Sequence, residues 1–128
     1  MILKFRAWDK TENVMSGVLR ISFDHKYVEL EKGVFRIFDE VALMQSTGLH
    51  DRNSKEIYKG DIVKAYHEWF GKDRTGVIEY DVIDFVIRWS ETEQSPLKYW
   101  VDEDTEEDKD FEIIGNIYEN PDLLQEER

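Results

Sequence analysis

Apolar and polar residues alternate along short runs of this chain, which is the period of a β-strand rather than of a helix. In the first run, Leu3, Phe5 and Ala7 fall on one face. No run shows the longer period of an amphipathic helix. We therefore predict a mainly β protein, with strands at residues 2–8, 14–23, 27–30, 34–38, 41–46, 57–58, 62–70, 76–81, 83–89, 97–101 and 111–118.

Three turn signals separate the strand-forming runs in the middle of the chain. A Thr-Gly pair at residues 47 and 48 interrupts the first run. Residues 51–55 contain no apolar side chain, and their Asp, Asn and Ser side chains can bond the local backbone. Gly60 lies in a Lys-Gly-Asp turn before a β-branched strand, so we predict a positive φ angle at this glycine.

Three segments resemble the YopX family, small proteins of phages and prophages of Gram-positive bacteria. They are LKFRAWDK at residues 3–10, MQSTGLHDRNSKEIYKGDIV at residues 44–63 and FEIIGNIYENPDLL at residues 111–124. The chain departs from the family pattern at Ser46 and at Ser54, which replaces a turn glycine. The resemblance implies a fold but no activity. We interpret its marker residues as a structural motif: Gln45, Thr47, Gly48, Asp51, Ile57, Tyr58, Gly60, Asp61, Gly115, Asn116 and Tyr118.

The spacing of strands and turns predicts one compact unit with two parts, which fits a chain of 128 residues. Residues 1–50 form a β-rich N-terminal part. Residues 51–128 form a small SH3-type β barrel that carries an acidic loop at 102–110. A short C-terminal helix follows Asn120, which can cap it, and Pro121 fits its first position.

The negative charge is concentrated at the C-terminal end. Residues 1–90 hold 15 acidic and 14 basic residues, whereas residues 91–128 hold 14 acidic and 3 basic ones, a net charge of −11. We interpret the acidic run as an exposed, solvated loop. Direct nucleic-acid binding is disfavoured, since Lys and Arg supply that affinity. The run also provides candidate interaction residues: Asp102, Glu103, Asp104, Glu106, Glu107 and Asp108.

The residues that support catalysis or metal binding are scarce. There is no cysteine, and His25, His50 and His67 lack the spacing of paired metal ligands. The acidic run places carboxylates at the first positions of a calcium loop, but Glu107 and Ile113 occupy positions that need Gly and Glu. We predict no enzyme activity, no metal site and no cofactor.

Aromatic residues are concentrated in the predicted barrel, and most are expected to be core residues. Alternation along residues 66–70 leaves one aromatic near solvent, and we select Trp69 as that candidate interaction residue. The aromatic residues concentrated in this part of the chain are Tyr66, Trp69, Phe70, Trp89, Tyr99 and Trp100.

Two function classes remain open. The first is a non-enzymatic binding or assembly module with a host or phage protein as partner. The second is an acidic decoy that imitates DNA and inhibits a host nucleic-acid-binding enzyme. Apolar runs at Val34–Phe38 and Val41–Met44 predict a homo-oligomer, because an open sheet leaves edges and apolar surface to cover. We expect no signal peptide, no membrane contact and a location in the host cell cytoplasm.

Overall fold

The computed structural model describes residues 4–67, 70–101 and 109–127. The chain divides into two units, Met1–Ser46 and Thr47–Arg128. The strands are β1 (Phe5–Asp9), β2 (Val14–Ser22), β3 (Tyr27–Leu30), β4 (Val34–Ile37), β5 (Val41–His50), β6 (Glu56–Tyr58), β7 (Asp61–His67), β8 (Asp73–Asp81), β9 (Asp84–Arg88), β10 (Gln94–Pro96) and β11 (Lys109–Asn116). The helices are α1 (Leu97–Val101) and 3-10 turns at Glu31–Gly33, Phe38–Glu40 and Pro121–Glu127.

The first unit is an antiparallel sheet in the order β4-β3-β2-β1-β5, where only the first part of β5 belongs to the unit. Alternation places one face of each strand inside. Val28 of β3 is fully buried, and Leu30, two residues further on, is nearly so. They pack with Ala7 of β1 and Val41 of β5 to form the core of this unit.

The second unit contains the end of β5 beside β6 and a five-stranded antiparallel sheet in the order β10-β9-β8-β7-β11. The last strand therefore returns to lie beside the first strand of this sheet. Its core packs β-branched residues of the central strands against two indole rings, those of Trp89 and Trp100. The register between β7 and β11 shifts between Ile113 and Gly115, which marks a β-bulge.

The mainly β prediction is confirmed, including the hairpin of β3 and β4. The predicted strand at Leu97–Val101 is wrong, because these residues form the short helix α1. The fourth strand of the sheet is instead Gln94–Pro96. The Thr-Gly pair at residues 47 and 48 does not end its strand: β5 continues to His50, with Gly48 at a φ of 76°.

The C-terminal helix is present at Pro121–Glu127, in the 3-10 form. Strand pairing among the described residues leaves the five-stranded sheet open, with β10 and β11 at its two edges. Within the same residues, no helix is long and apolar enough to cross a membrane.

A buried carboxylate closes the first turn of the chain. Asp9 Oδ1 accepts hydrogen bonds from the backbone N–H of Thr11 at 3.0 Å and from Arg36 Nε at 3.0 Å. Burial acts to raise the pKa of Asp9, but the Arg36 guanidinium and the backbone N–H groups of Thr11 and Glu12 outweigh it. The pKa of Asp9 therefore lies below the usual value for an aspartate.

We expect the first unit to lose stability as the pH falls below about 4. Because the pKa of Asp9 is lower in the folded than in the unfolded state, its carboxylate stabilises the fold above the unfolded pKa. That contribution disappears as the pH falls through the folded pKa. Denaturant titrations at about pH 6 and about pH 3 measure the loss, and Asp9→Asn should reduce it. The same loss in the variant and the parent would contradict this prediction.

Candidate functional site

The carboxylate of Asp51 organises the polar turn that follows β5. Its Oδ1 accepts hydrogen bonds from the backbone N–H groups of Asn53 and Lys55, both at 2.9 Å. Its Oδ2 accepts the N–H of Ile113, also at 2.9 Å. Asp51 is buried, and Ser54 takes a φ of 63° within this turn without being a glycine. One side chain thus joins a local turn to a strand 62 residues away.

The same turn covers the open edge of β11. The N–H of Arg52 donates to the carbonyl oxygen of Phe111 at 3.2 Å, beside the bond between Asp51 and Ile113. The guanidinium of Arg52 forms an ion pair with Asp110. An uncovered edge strand is a template for pairing with another chain. Here the turn occupies backbone groups that a second strand would otherwise bind.

Gly60 and Asp61 form a second backbone junction. Gly60 has a φ of 90°, which confirms the positive angle predicted for it. Its N–H donates to the carbonyl oxygen of Ile78 and its own carbonyl oxygen accepts from Ile117, both at 2.9 Å. Asp61 is 1% exposed, and its Oδ2 accepts the N–H of Tyr58 at 2.8 Å. The junction holds the start of β7 between β8 and the end of β11.

Asn116 closes the turn after β11. Its Oδ1 accepts the N–H groups of Tyr118 at 3.0 Å and Glu119 at 2.9 Å. Asn120 packs closely over Gly115, where an added Cβ would lie 2.5 Å from Asn120 Oδ1. Any other residue at this position would require the side chain of Asn120 to shift.

Other marker residues of the motif also bond the backbone or lie in the core. Thr47 is buried and its hydroxyl donates to the carbonyl oxygen of Ile57 at 2.8 Å. Ile57 is a core residue of the second unit. Gln45 lies in β5 opposite Phe5 of β1.

An aromatic cluster surrounds the buried ring of His67 at the end of β7. The ring centroids of Tyr99 and Trp100 both lie 6.0 Å from that of His67, and the hydroxyl of Tyr99 is 3.2 Å from Nε2. Phe70 stacks on Trp100 with the centroids 5.6 Å apart. Trp89 and Trp100 are both buried, so their rings are core residues, as expected from the sequence.

Trp69 and residues 102–108, which include the six carboxylate candidates, lie outside the described residues. Among the residues that are described, no three His, Cys, Asp or Glu side chains form a group that could hold a metal ion.

The tip of the hairpin between β8 and β9 is a feature that the sequence analysis missed. Val82 and Ile83 are 86% and 85% exposed. Asp81 and Asp84 lie opposite each other where the hairpin closes, so the turn has two residues. Val82 has a φ of 51°, in the left-handed region that a β-branched residue rarely adopts. The signal in the sequence was an apolar pair between two aspartates, where a turn usually has Gly or Asn.

Known proteins share the fold of this chain. A family model described as YopX protein matches residues 4–125. Protein EF1440 from Enterococcus faecalis is 28% identical, with a TM-score of 0.67 over 97% of this chain and 99% of that chain. Protein yopX from Bacillus subtilis is 21% identical, with a TM-score of 0.64 over 94% of this chain and 97% of that one. No curated protein matches this chain.

Gly60→Val should lower the free energy of unfolding by about 1 to 3 kcal/mol, because a β-branched residue is strained at the positive φ of this position. Denaturant titration measures the change. Gly60→Asn is the matched control and should cost less, since Asn tolerates a positive φ better than Val does. Equal stability of Gly60→Val and the parent would show that the angle carries no constraint.

Asp51→Asn should lower the free energy of unfolding by about 1 to 3 kcal/mol. The amide keeps one accepting oxygen for the local turn, but its amino group then faces the N–H of Ile113 and leaves that donor unpaired. Hydrogen exchange at the Ile113 amide should accelerate more than at the central strands.

The matched control for this change is Asp73→Asn. Asp73 is half exposed and forms an ion pair with Lys64 at 3.4 Å. A surface pair of this kind contributes under about 1 kcal/mol, so the control should leave exchange at Ile113 unchanged. If the two variants were equally stable, the Asp51 carboxylate would not be holding β11.

Proposed function

We propose that this chain, which belongs to the YopX family, is a phage-encoded or prophage-encoded, non-enzymatic binding or assembly module. The exposed apolar tip of the β8–β9 hairpin carries this proposal. The partner is a host or phage protein in the host cell cytoplasm, and copies of the chain associate with one another.

Two features of the tip each lower the stability of the fold, and their coincidence supports a role in binding. Val82 and Ile83 leave nearly all of their apolar surface in water. The positive φ of Val82 costs further free energy, of the order of 1 to 3 kcal/mol for a strained residue. A Gly-Asn turn would remove both costs without changing the hairpin length. Local rules are broken in this way mainly where function requires it.

The partner surface that fits this tip is an apolar pocket in a protein. Two β-branched side chains at the end of a hairpin can enter such a pocket and lose little conformational entropy, because their χ1 angles are already restricted. Pairing with Gln94 and Lys98 holds the flanking Asp81 and Asp84 beside the tip. These carboxylates favour a pocket with basic residues at its rim.

The sheet of the second unit supports a finer description of the fold. We propose that it is an SH3-type barrel, since five short antiparallel strands are arranged with the last strand, β11, beside the first, β7. A short helix, Leu97–Val101, precedes β11.

A second candidate function is an acidic decoy that occupies the nucleic-acid site of a host enzyme. The observation that favours it is the net charge of −11 on residues 91–128. A net charge of this size attracts basic proteins over long distances, and the attraction weakens as salt rises.

We expect capture of a partner protein from host lysate to depend on the hairpin tip. The variant Val82→Gly with Ile83→Asn removes the apolar surface, so it should lose the captured protein. It should also raise the free energy of unfolding by about 1 kcal/mol, because Gly carries no steric penalty at a positive φ. Mass spectrometry of the captured protein and denaturant titration measure the two effects. Val14→Asn, at another exposed apolar residue, is the control and should retain the partner.

The same capture separates the two candidate functions. A variant with Ser, Asn and Gln in place of the carboxylates of residues 102–110 should still bind the partner of a binding module. If this variant alone loses a nucleic-acid enzyme that the parent releases at high salt, the acidic decoy is correct. Retention of the partner by the tip variant would overturn the role proposed for the hairpin.

A further inference from the structure

One face of the first unit carries apolar residues in water. The register of β2, β3 and β4 aligns two rows across this face, Arg20–Glu29–Phe35 and Ser22–Tyr27–Ile37. We call these two rows the outer face. Phe35 is 52% exposed and Ile37 is 55% exposed, while the ring of Tyr27 lies 5.9 Å from that of Phe35. The opposite face of the same strands is the buried core.

More apolar surface lies beside these rows. Leu19 is exposed next to a β-bulge in β2, and the exposed ring of Phe23 lies in the turn that follows the same strand. These two residues add exposed apolar surface to the same unit, and a folded protein rarely leaves large apolar patches uncovered.

Two side chains already bond backbone groups at the edge of β4, one from the strand itself and one from the 3-10 turn that follows it. The N–H of Ile37 donates to Glu40 Oε1 at 3.0 Å rather than to β3. The carbonyl oxygen of Phe35, which points to the same edge, accepts from the guanidinium of Arg36 at 3.1 Å. Bonds of this kind protect an edge against pairing with another strand. A partner of this region must bind the face of the sheet and not its edge.

The charge distribution favours a second copy of this chain as the partner. Residues 1–46 hold seven basic and seven acidic side chains, so the first unit is neutral. Residues 47–128 hold 10 basic and 22 acidic side chains, a net charge of −12. Two copies that approach through their second units repel each other, whereas two neutral outer faces do not.

We propose that two copies of this chain form a dimer by packing their outer faces together about a two-fold axis. This inference rests on the proposed function as an assembly module and names the surface that the assembly uses. Ile37 and Phe35 of one copy cover Tyr27 and Phe35 of the other.

The outer face has the self-complementary features that a two-fold interface needs. Arg20 and Glu29 lie in the same row and form an ion pair at 3.4 Å, with Arg20 well exposed. Because the two charges neutralise each other, this row adds no net repulsion between two outer faces. A shallow depression lined by Ser22, Phe23 and Tyr27 lies beside the protruding Ile37, so the face offers both a projection and a recess.

The test is the mass of the protein in solution, measured by light scattering across the micromolar range. The parent should have twice the chain mass of 15.3 kDa, and Ile37→Lys should have the single mass. The substitution puts a charge into an apolar contact in both copies, while the exposed position lets each copy stay folded. Val14→Lys is the matched control at an exposed apolar residue of the same unit that lies outside the two rows of the outer face, and it should remain dimeric.

A mixture of two variants tests the two-fold geometry. Ile37→Lys mixed with Ile37→Glu should regain the double mass, because residue 37 of each copy then meets an opposite charge near the axis. Circular dichroism of each variant checks that it is folded. A parent that stays at 15.3 kDa, a dimeric Ile37→Lys variant, or a mixture that stays monomeric would overturn the proposal.

The failure of this inference is distinct from a failure of the proposed function. A monomeric parent that still captures its partner through the hairpin tip rejects the dimer and leaves the binding role in place. A dimeric parent with no tip-dependent partner supports the dimer and rejects the role of the tip.

Discussion

The second unit depends on one buried carboxylate. Asp51 holds its own turn in shape with one oxygen and binds the N–H of Ile113 with the other. Because the turn has a fixed shape, the next residue, Arg52, can donate its N–H to Phe111 on the same strand. Removal of the carboxylate would therefore loosen the turn and, at the same time, expose the edge of β11. A motif that looks like a local turn in the sequence therefore closes the edge of a sheet.

The sequence predicted those parts of the structure that follow from local chemistry. Gly60 has the predicted positive φ, and Ser54 reaches a positive φ without glycine. Where a pattern is shorter than a few residues, both periods fit it. The five residues of α1 are such a short pattern. Its buried residues, Leu97 and Trp100, are three positions apart, which is close to one helical turn, but the same five residues also fit a short strand. The apolar pair at Val82 broke the usual turn chemistry, so no turn rule could identify it.

The long-range contacts of Asp51 could not be read from the sequence either. Its hydrogen bond to Ile113 joins positions 62 residues apart, and neither segment contains a sequence signal that identifies the other as its partner. The sequence could not show which strand faces are exposed either. Alternation shows that a strand has two faces, but it does not show which of them another element covers. Phe35 and Ile37 belong to an apolar run, but only the register of three strands places them in water.

The separation of Asp51 from Ile113 along the chain also sets the order in which the two units can fold during biosynthesis. Every described strand pair of the first unit joins residues within the first 46, so this unit can fold while the ribosome is still making the rest of the chain. The second unit has to wait, since β7 gains its neighbour β11 only when residues 109–116 emerge. The nascent chain thus carries a folded N-terminal unit and an unfinished acidic one until residues 109–116 have been made.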